Sequence, residues 1–224
     1  MGYKLKRELK RLDKKQFIED IQSYIKSPYD FYNLRVPELK IMAKTLKERH
    51  PISEFYKIFD KLWNSGYNQE ISLAIYTLEL YEDEFTLKTF KFLVPKLKDI
   101  KNCHHLDAIS LNILGKIILK FPEIEKDIIQ FTNSDNYWLN RCAIISTMAC
   151  IENEKVQLTL KIAQKYISNK NSNLQRITGI MLKKASEKKP GLVKSFILKN
   201  MDKMSINCFM HATENLIELR QRKR

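Results

Sequence analysis

Apolar residues recur along this chain at the i, i+3, i+4, i+7 spacing that gathers them on one face of an α-helix. Phe17, Ile18, Ile21, Tyr24 and Ile25 follow it, as do Leu39, Met42, Ala43 and Leu46. The same spacing predicts helical segments over 55–63, 71–80, 85–97, 106–119, 138–151, 156–167, 174–185, 192–198 and 208–219. No run alternates convincingly with period 2, and no Asn-Gly pair marks a hairpin. The pattern predicts an all-α protein.

The punctuation agrees. Pro37, Pro51, Pro122 and Pro190 fall at or near predicted helix starts, where a missing N–H costs nothing. Ser134, Asp135 and Asn136 offer caps before a helix, and Asn171, Ser172 and Asn173 do the same before Leu174. About eleven or twelve helices of mostly 10–17 residues follow, joined by short connections that imply antiparallel neighbours. Their even length fits stacked pairs in an α-solenoid. An irregular helical bundle fits the rhythm as well. No Gly-, Pro- or Ser-rich linker interrupts the chain, so 1–224 reads as one domain. Residues 1–13 read as a short or mobile N-terminal helix and 220–224 as a basic tail.

Composition sharpens this picture. Forty Lys and Arg against 26 Asp and Glu give a formal charge of +14. Such a surplus attracts polyanions, nucleic acid or an anionic membrane surface. No apolar run approaches the roughly 20 residues that span a bilayer, and the first residues lack the apolar core of a signal peptide. The expectation is a cytoplasmic protein without a membrane partner. Cys103, Cys142, Cys150 and Cys208 lack paired metal-ligand spacing and read as free thiols. Cys103, His104, His105 and Asp107 cluster in sequence, but one cluster without a second does not make a zinc site or a cysteine nucleophile. Neither a metal nor another cofactor is expected.

Five segments carry a resemblance. They are Phe31-Tyr-Asn-Leu-Arg-Val-Pro-Glu-Leu-Lys40, Leu62-Trp-Asn-Ser-Gly-Tyr-Asn-Gln-Glu70, Asn102-Cys-His-His-Leu-Asp107 with Ile113-Leu-Gly115, Ser134-Asp-Asn-Tyr-Trp-Leu-Asn-Arg141, and Asn173-Leu-Gln-Arg176 with Gly179. In order and spacing they resemble the AlkD-type DNA alkylation repair family. The resemblance implies a C-shaped solenoid of HEAT-like repeats with a basic concave face that holds duplex DNA; an open solenoid needs no partner to bury its core, so a monomer is expected. It also implies a glycosylase that removes cationic N3- and N7-alkylated purines.

The resemblance assigns roles residue by residue. Asp107 stands where the family has a carboxylate beside the deoxyribose. A fixed carboxylate there stabilises the positive sugar that forms as the glycosidic bond breaks, and can hold the attacking water. The residues alone allow a second reading of Asp107, as an N-cap or first-turn acid favoured by the helix dipole. Arg141 matches a phosphate-contacting arginine, whose planar fork suits that anion. Arg176 and Lys183 extend the same basic rim or belong to a solvated charged face. Tyr24 matches a tyrosine near the lesion, and equally fits an apolar stripe. Trp63 and Trp138 read as packing residues.

Three departures weigh on the activity. The tryptophans that contact the damaged nucleotide in the family are Cys103 and Ile180 here, and the following Asp is His104. Neither Cys nor Ile supplies the area or quadrupole of an indole. Three functions are therefore expected in competition. The first is an alkylpurine glycosylase, and the second a non-catalytic binder of damaged or branched DNA. The third is a solenoid that binds other proteins.

Overall fold

The computed structural model describes residues 29–30 and 34–220. Tyr24, the N-terminal segment 1–13 and tail residues 221–224 lie outside the described residues. Every regular element among those described is helical, apart from one isolated bridge between Asp30 and Tyr67. None of these helices is long and apolar enough to cross a membrane. The chain divides into two compact units, 1–85 with 100–109 and 86–99 with 110–224.

The first unit is built on the helix Asn68–Glu79, which Val36–Arg49 and Ile52–Trp63 both pack against. Its apolar residues Ile71, Leu73, Ala74, Ile75 and Leu78 are all buried. Ile52–Trp63 is strongly one-sided and buries Phe55, Tyr56, Phe59 and Leu62. Phe55 and Tyr81 meet at 5.4 Å between ring centres. The Tyr81 hydroxyl donates to the His50 carbonyl at 2.5 Å. Burial, with the Glu84 carboxylate nearby, pushes the Tyr81 phenol up to about 12. At the start of Asn68–Glu79 the Asn68 N–H donates to the Asp30 carbonyl at 2.8 Å. A helix N–H without an intrahelical partner is thereby satisfied.

The second unit centres on Ser172–Lys188, packed against Ile206–Ala212, Gln157–Tyr166, Pro190–Asn200 and Tyr137–Ile145. Glycine allows the closest of these approaches. A Cβ on Gly179 would lie 2.6 Å from both the Cys208 carbonyl oxygen and His211 Cβ. A Cβ on Gly115 would lie 2.9 Å from Ala149 Cβ and 3.0 Å from the Ser146 carbonyl oxygen. Both glycines belong to the segments that carry the family resemblance, and both act by bringing helix backbones together.

Several expected helices change at their ends or break. The 106–119 segment begins earlier, as Cys103–Ala108, continues through π-helical turns Ile109–Leu114, and resumes as Gly115–Lys120. The 138–151 segment splits into Tyr137–Ile145 and Met148–Glu152. At the break, the Ser146 hydroxyl donates to the Ala143 carbonyl and the Thr147 hydroxyl to the Ile144 carbonyl. These side chains compete with the backbone ladder. The 208–219 segment likewise becomes Ile206–Ala212 and Ile217–Arg220, with the Thr213 hydroxyl on the Phe209 carbonyl between them. Pro122–Ile124 and Glu125–Phe131 add helical turns that apolar spacing did not predict.

Candidate nucleic-acid interface

Three helices that carry candidate residues begin with an asparagine cap. Asn102 Oδ1 accepts the His105 N–H at 3.0 Å. Asn136 Oδ1 accepts from Trp138 and Leu139 at 2.8 and 3.3 Å. Asn171 Oδ1 accepts from Asn173 and Leu174 at 3.0 and 3.2 Å. The last two turns are copies of one another. Ser134 Oγ accepts the Asn136 N–H, and Asn169 Oδ1 accepts the Asn171 N–H. Asn140 Nδ2 donates to the Ser134 carbonyl at 2.6 Å, as Gln175 Nε2 does to the Asn169 carbonyl at 2.5 Å. Segments 134–141 and 169–176 are thus an internal repeat, written in hydrogen bonds more clearly than in residue identities.

The register places the candidates alike. Asp107, Arg141 and Arg176 each stand five positions after their cap, 102 to 107, 136 to 141 and 171 to 176. A shared offset puts each on the same face of its own helix. Their exposure differs. Asp107 is half-buried, in the second turn of Cys103–Ala108. The cap of that helix is Asn102, so the capping reading of Asp107 is corrected, as is its expected position at the helix start. Arg141 is only 9% exposed. Arg176 is exposed on Ser172–Lys188.

Ile180 and Lys183 follow Arg176 at i+4 and i+7 and share its helical face. Ile180 is half-buried. Lys183 Nζ donates to Glu214 Oε1 at 2.6 Å, which holds the Glu214 carboxyl below its ordinary range. The pair neutralises one charge of the expected rim. Lys189, Lys194 and Lys184 are similarly engaged with Glu154, Glu218 and Glu187.

Cys103, exposed, and Asp107 share a helix face, and His104 is exposed beside them. His105 turns inward and is 1% exposed. Its Nε2 lies 3.0 Å from Ser72 Oγ, and its Nδ1 is buried without a hydrogen bond. Asn102 Nδ2 also donates to Asn68 Oδ1, at 3.3 Å. Burial, reinforced by His104, lowers the His105 imidazole to about 4 against a weaker opposing effect of the Asn68 backbone. His105 is therefore neutral and joins Cys103–Ala108 to Asn68–Glu79. Among the described residues, no three His, Cys, Asp or Glu side chains converge as metal ligands. Burial, then Glu125, pushes the Cys150 thiol up to about 11, so it is inert.

Sequence spacing missed the His105–Ser72 joint, because nothing in a pattern tells which of two adjacent histidines turns inward. Tyr137 and Trp138 are both half-exposed and meet edge to face at 5.1 Å. The repeated Ser/Asn-x-Asn turn was the available signal for the internal repeat.

A family model described as DNA alkylation repair enzyme matches residues 5–216. Among curated proteins none matches the chain. A solved structure described as a predicted DNA alkylation repair enzyme from Enterococcus faecalis is similar over 91% of this chain and 96% of that one. The TM-score is 0.76 at 17% identity, a likeness of fold. The all-helical repeat architecture inferred from helix rhythm and motif order is the one observed. With a match across nearly its whole length, the chain belongs to the DNA alkylation repair enzyme family.

Proposed function

We propose that the protein binds duplex DNA through side chains presented at matched positions of its capped helices, with Arg176 the leading phosphate contact. The shared offset of Asp107, Arg141 and Arg176 from their caps carries this reading. A repeat protein lines a surface by varying one position from repeat to repeat. In the second unit that position holds two guanidinium groups, Arg141 and Arg176, and in the first unit it holds the Asp107 carboxylate. The formal charge of +14 supports a polyanionic partner. Arg141, mostly buried, contributes its positive field more than a wide contact surface, and Lys183 contributes little while Glu214 holds it.

Gel-shift titration of a plain duplex at rising salt tests the proposal. Affinity falls steeply with salt if several phosphates are contacted. An absence of binding even at low salt would remove the DNA reading and leave a protein-binding solenoid.

A second reading is favoured by one observation. Asn102 takes the cap, so capping does not explain the carboxylate at position 107. On this second reading Asp107 serves base excision by stabilising the cationic sugar as an N3- or N7-alkylated purine leaves. The exposed Cys103 and half-buried Ile180 weaken that reading, since neither presents an aromatic face to a lesion. DNA carrying N7-methylguanine decides it. Abasic product that disappears in Asp107→Asn supports excision, and no product from the wild type sinks it.

A further inference from the structure

Resting on the DNA-binding reading, we propose that Tyr137 and Trp138 form a stacking site for an unstacked nucleotide, so that the protein prefers duplexes carrying a bulged or unpaired base.

Three tyrosines of the two units, Tyr29, Tyr81 and Tyr166, are tied by their hydroxyls. Tyr81 donates to the His50 carbonyl, and Tyr166 donates to Asn140 Oδ1 at 2.8 Å. The Tyr29 hydroxyl accepts from the Lys101 backbone. The Tyr137 side chain is half-exposed, and its ring meets that of Trp138. These two adjacent aromatic side chains, edge to face and each half-exposed, leave ring surface open to solvent. Burying it against another flat ring is favourable.

The surroundings suit a nucleotide. Asn136 Nδ2 donates to the Lys98 carbonyl at 3.0 Å, which brings the end of Leu87–Asp99 beside the pair. Lys98 is exposed and engages no carboxylate among the described residues. Arg141 lies one turn beyond Tyr137 on the same helical face. Tyr137–Ile145 packs on Ser172–Lys188, the helix of exposed Arg176. Two exposed carboxylates, Asp99 and Asp135, oppose a phosphate here, so the ring faces rather than charge alone must supply the preference. In an intact duplex the bases are stacked on one another and unavailable to such a site. A bulged base has a free face, and stacking on an aromatic side chain is tolerant of its identity.

The test uses the full chain and two labelled duplexes of the same sequence, one intact and one with a single unpaired nucleotide. Wild type is expected to prefer the bulged duplex. Tyr137→Ala should lose about tenfold in affinity for it while intact duplex is bound as before. Tyr137→Phe should keep the preference. In a Trp63→Phe background Trp138 is the sole tryptophan. The bulged duplex should quench its emission and the intact duplex should not. Equal affinity of wild type for both duplexes overturns the stacking site and leaves duplex binding standing. An equal loss on both in Tyr137→Ala overturns it too. Binding to neither duplex overturns both readings. If Tyr137→Ala fails to fold, unchanged Trp138 emission on adding bulged DNA is sufficient to reject the site.

Discussion

Asn102 and Asn136 cap their helices through the same side-chain oxygen, yet the two turns anchor different things. The Asn102 turn is tied inward, through neutral His105 on Ser72 and through Asn102 itself on Asn68. The Asn136 turn is tied to carbonyls, of Lys98 and, through Asn140, of Ser134 and Asn136. Its aromatic residues Tyr137 and Trp138 remain half-exposed. Five positions after each cap stand Asp107, half-buried, and Arg141, 9% exposed, while the copy of the second turn leaves Arg176 exposed. A cap fixes which face a residue occupies. The elements packed against that face decide whether solvent or a ligand can reach it.

The largest expected effect lies in the first turn. His105 titrates near 4 in the folded protein and near 6.5 when unfolded. The unfolded chain therefore binds the proton more readily. Stability on this account is full above about pH 6.5, falls as pH drops toward about 4, and levels off below that. The loss across that window is about 3 kcal/mol. His105→Gln should remove this part of the pH dependence, seen as a flatter melting temperature between pH 7 and 4 than in wild type. Parallel curves for the two proteins would refute the inward tie.

Helix approach in the second unit is next. Gly179→Ala forces a Cβ to within 2.6 Å of the Cys208 carbonyl oxygen and of His211 Cβ. Overpacking of this kind costs about 1–3 kcal/mol. Chemical denaturation should show the midpoint falling, with a smaller fall for Gly115→Ala, where the nearest atoms are 2.9 and 3.0 Å away. A stabilised Gly179→Ala would show that the two helices are free to part.

The caps sharpen the comparison further. Asn136→Ala and Asn171→Ala should each cost about 1 kcal/mol. Asn136→Ala should cost the more of the two, because it also releases the Lys98 carbonyl. Equal losses would mean that this extra bond contributes nothing. The smallest effect belongs to Glu214→Gln. It leaves the melting temperature nearly unchanged and raises DNA affinity slightly at low salt by freeing Lys183. A weakened affinity would show that Lys183 needs its partner to be held in place.

Much of this architecture is legible in the sequence. Helical spacing located the 52–63, 157–166 and 172–188 helices to within a few residues, because each buries a single continuous stripe. It overran at 146–147 and 213–216, where hydroxyls on nearby carbonyls end a helix that apolar spacing would continue. Motif order carried the family and named Asp107, Arg141 and Arg176. It could not distinguish Arg141 from Arg176, since burial depends on which helices pack over each one. Nor could it tell inward His105 from exposed His104, or foresee Glu214 on Lys183, a contact made between residues far apart in sequence.

The central claim is that a cation at the fifth position after a cap grips DNA phosphate. Duplex affinity measured against salt concentration, wild type beside Arg176→Ala, tests it most directly. Arg176→Ala should weaken binding to all duplexes alike and lower the slope of log affinity against log salt by about 1. Superimposable lines for the two proteins would contradict the claim.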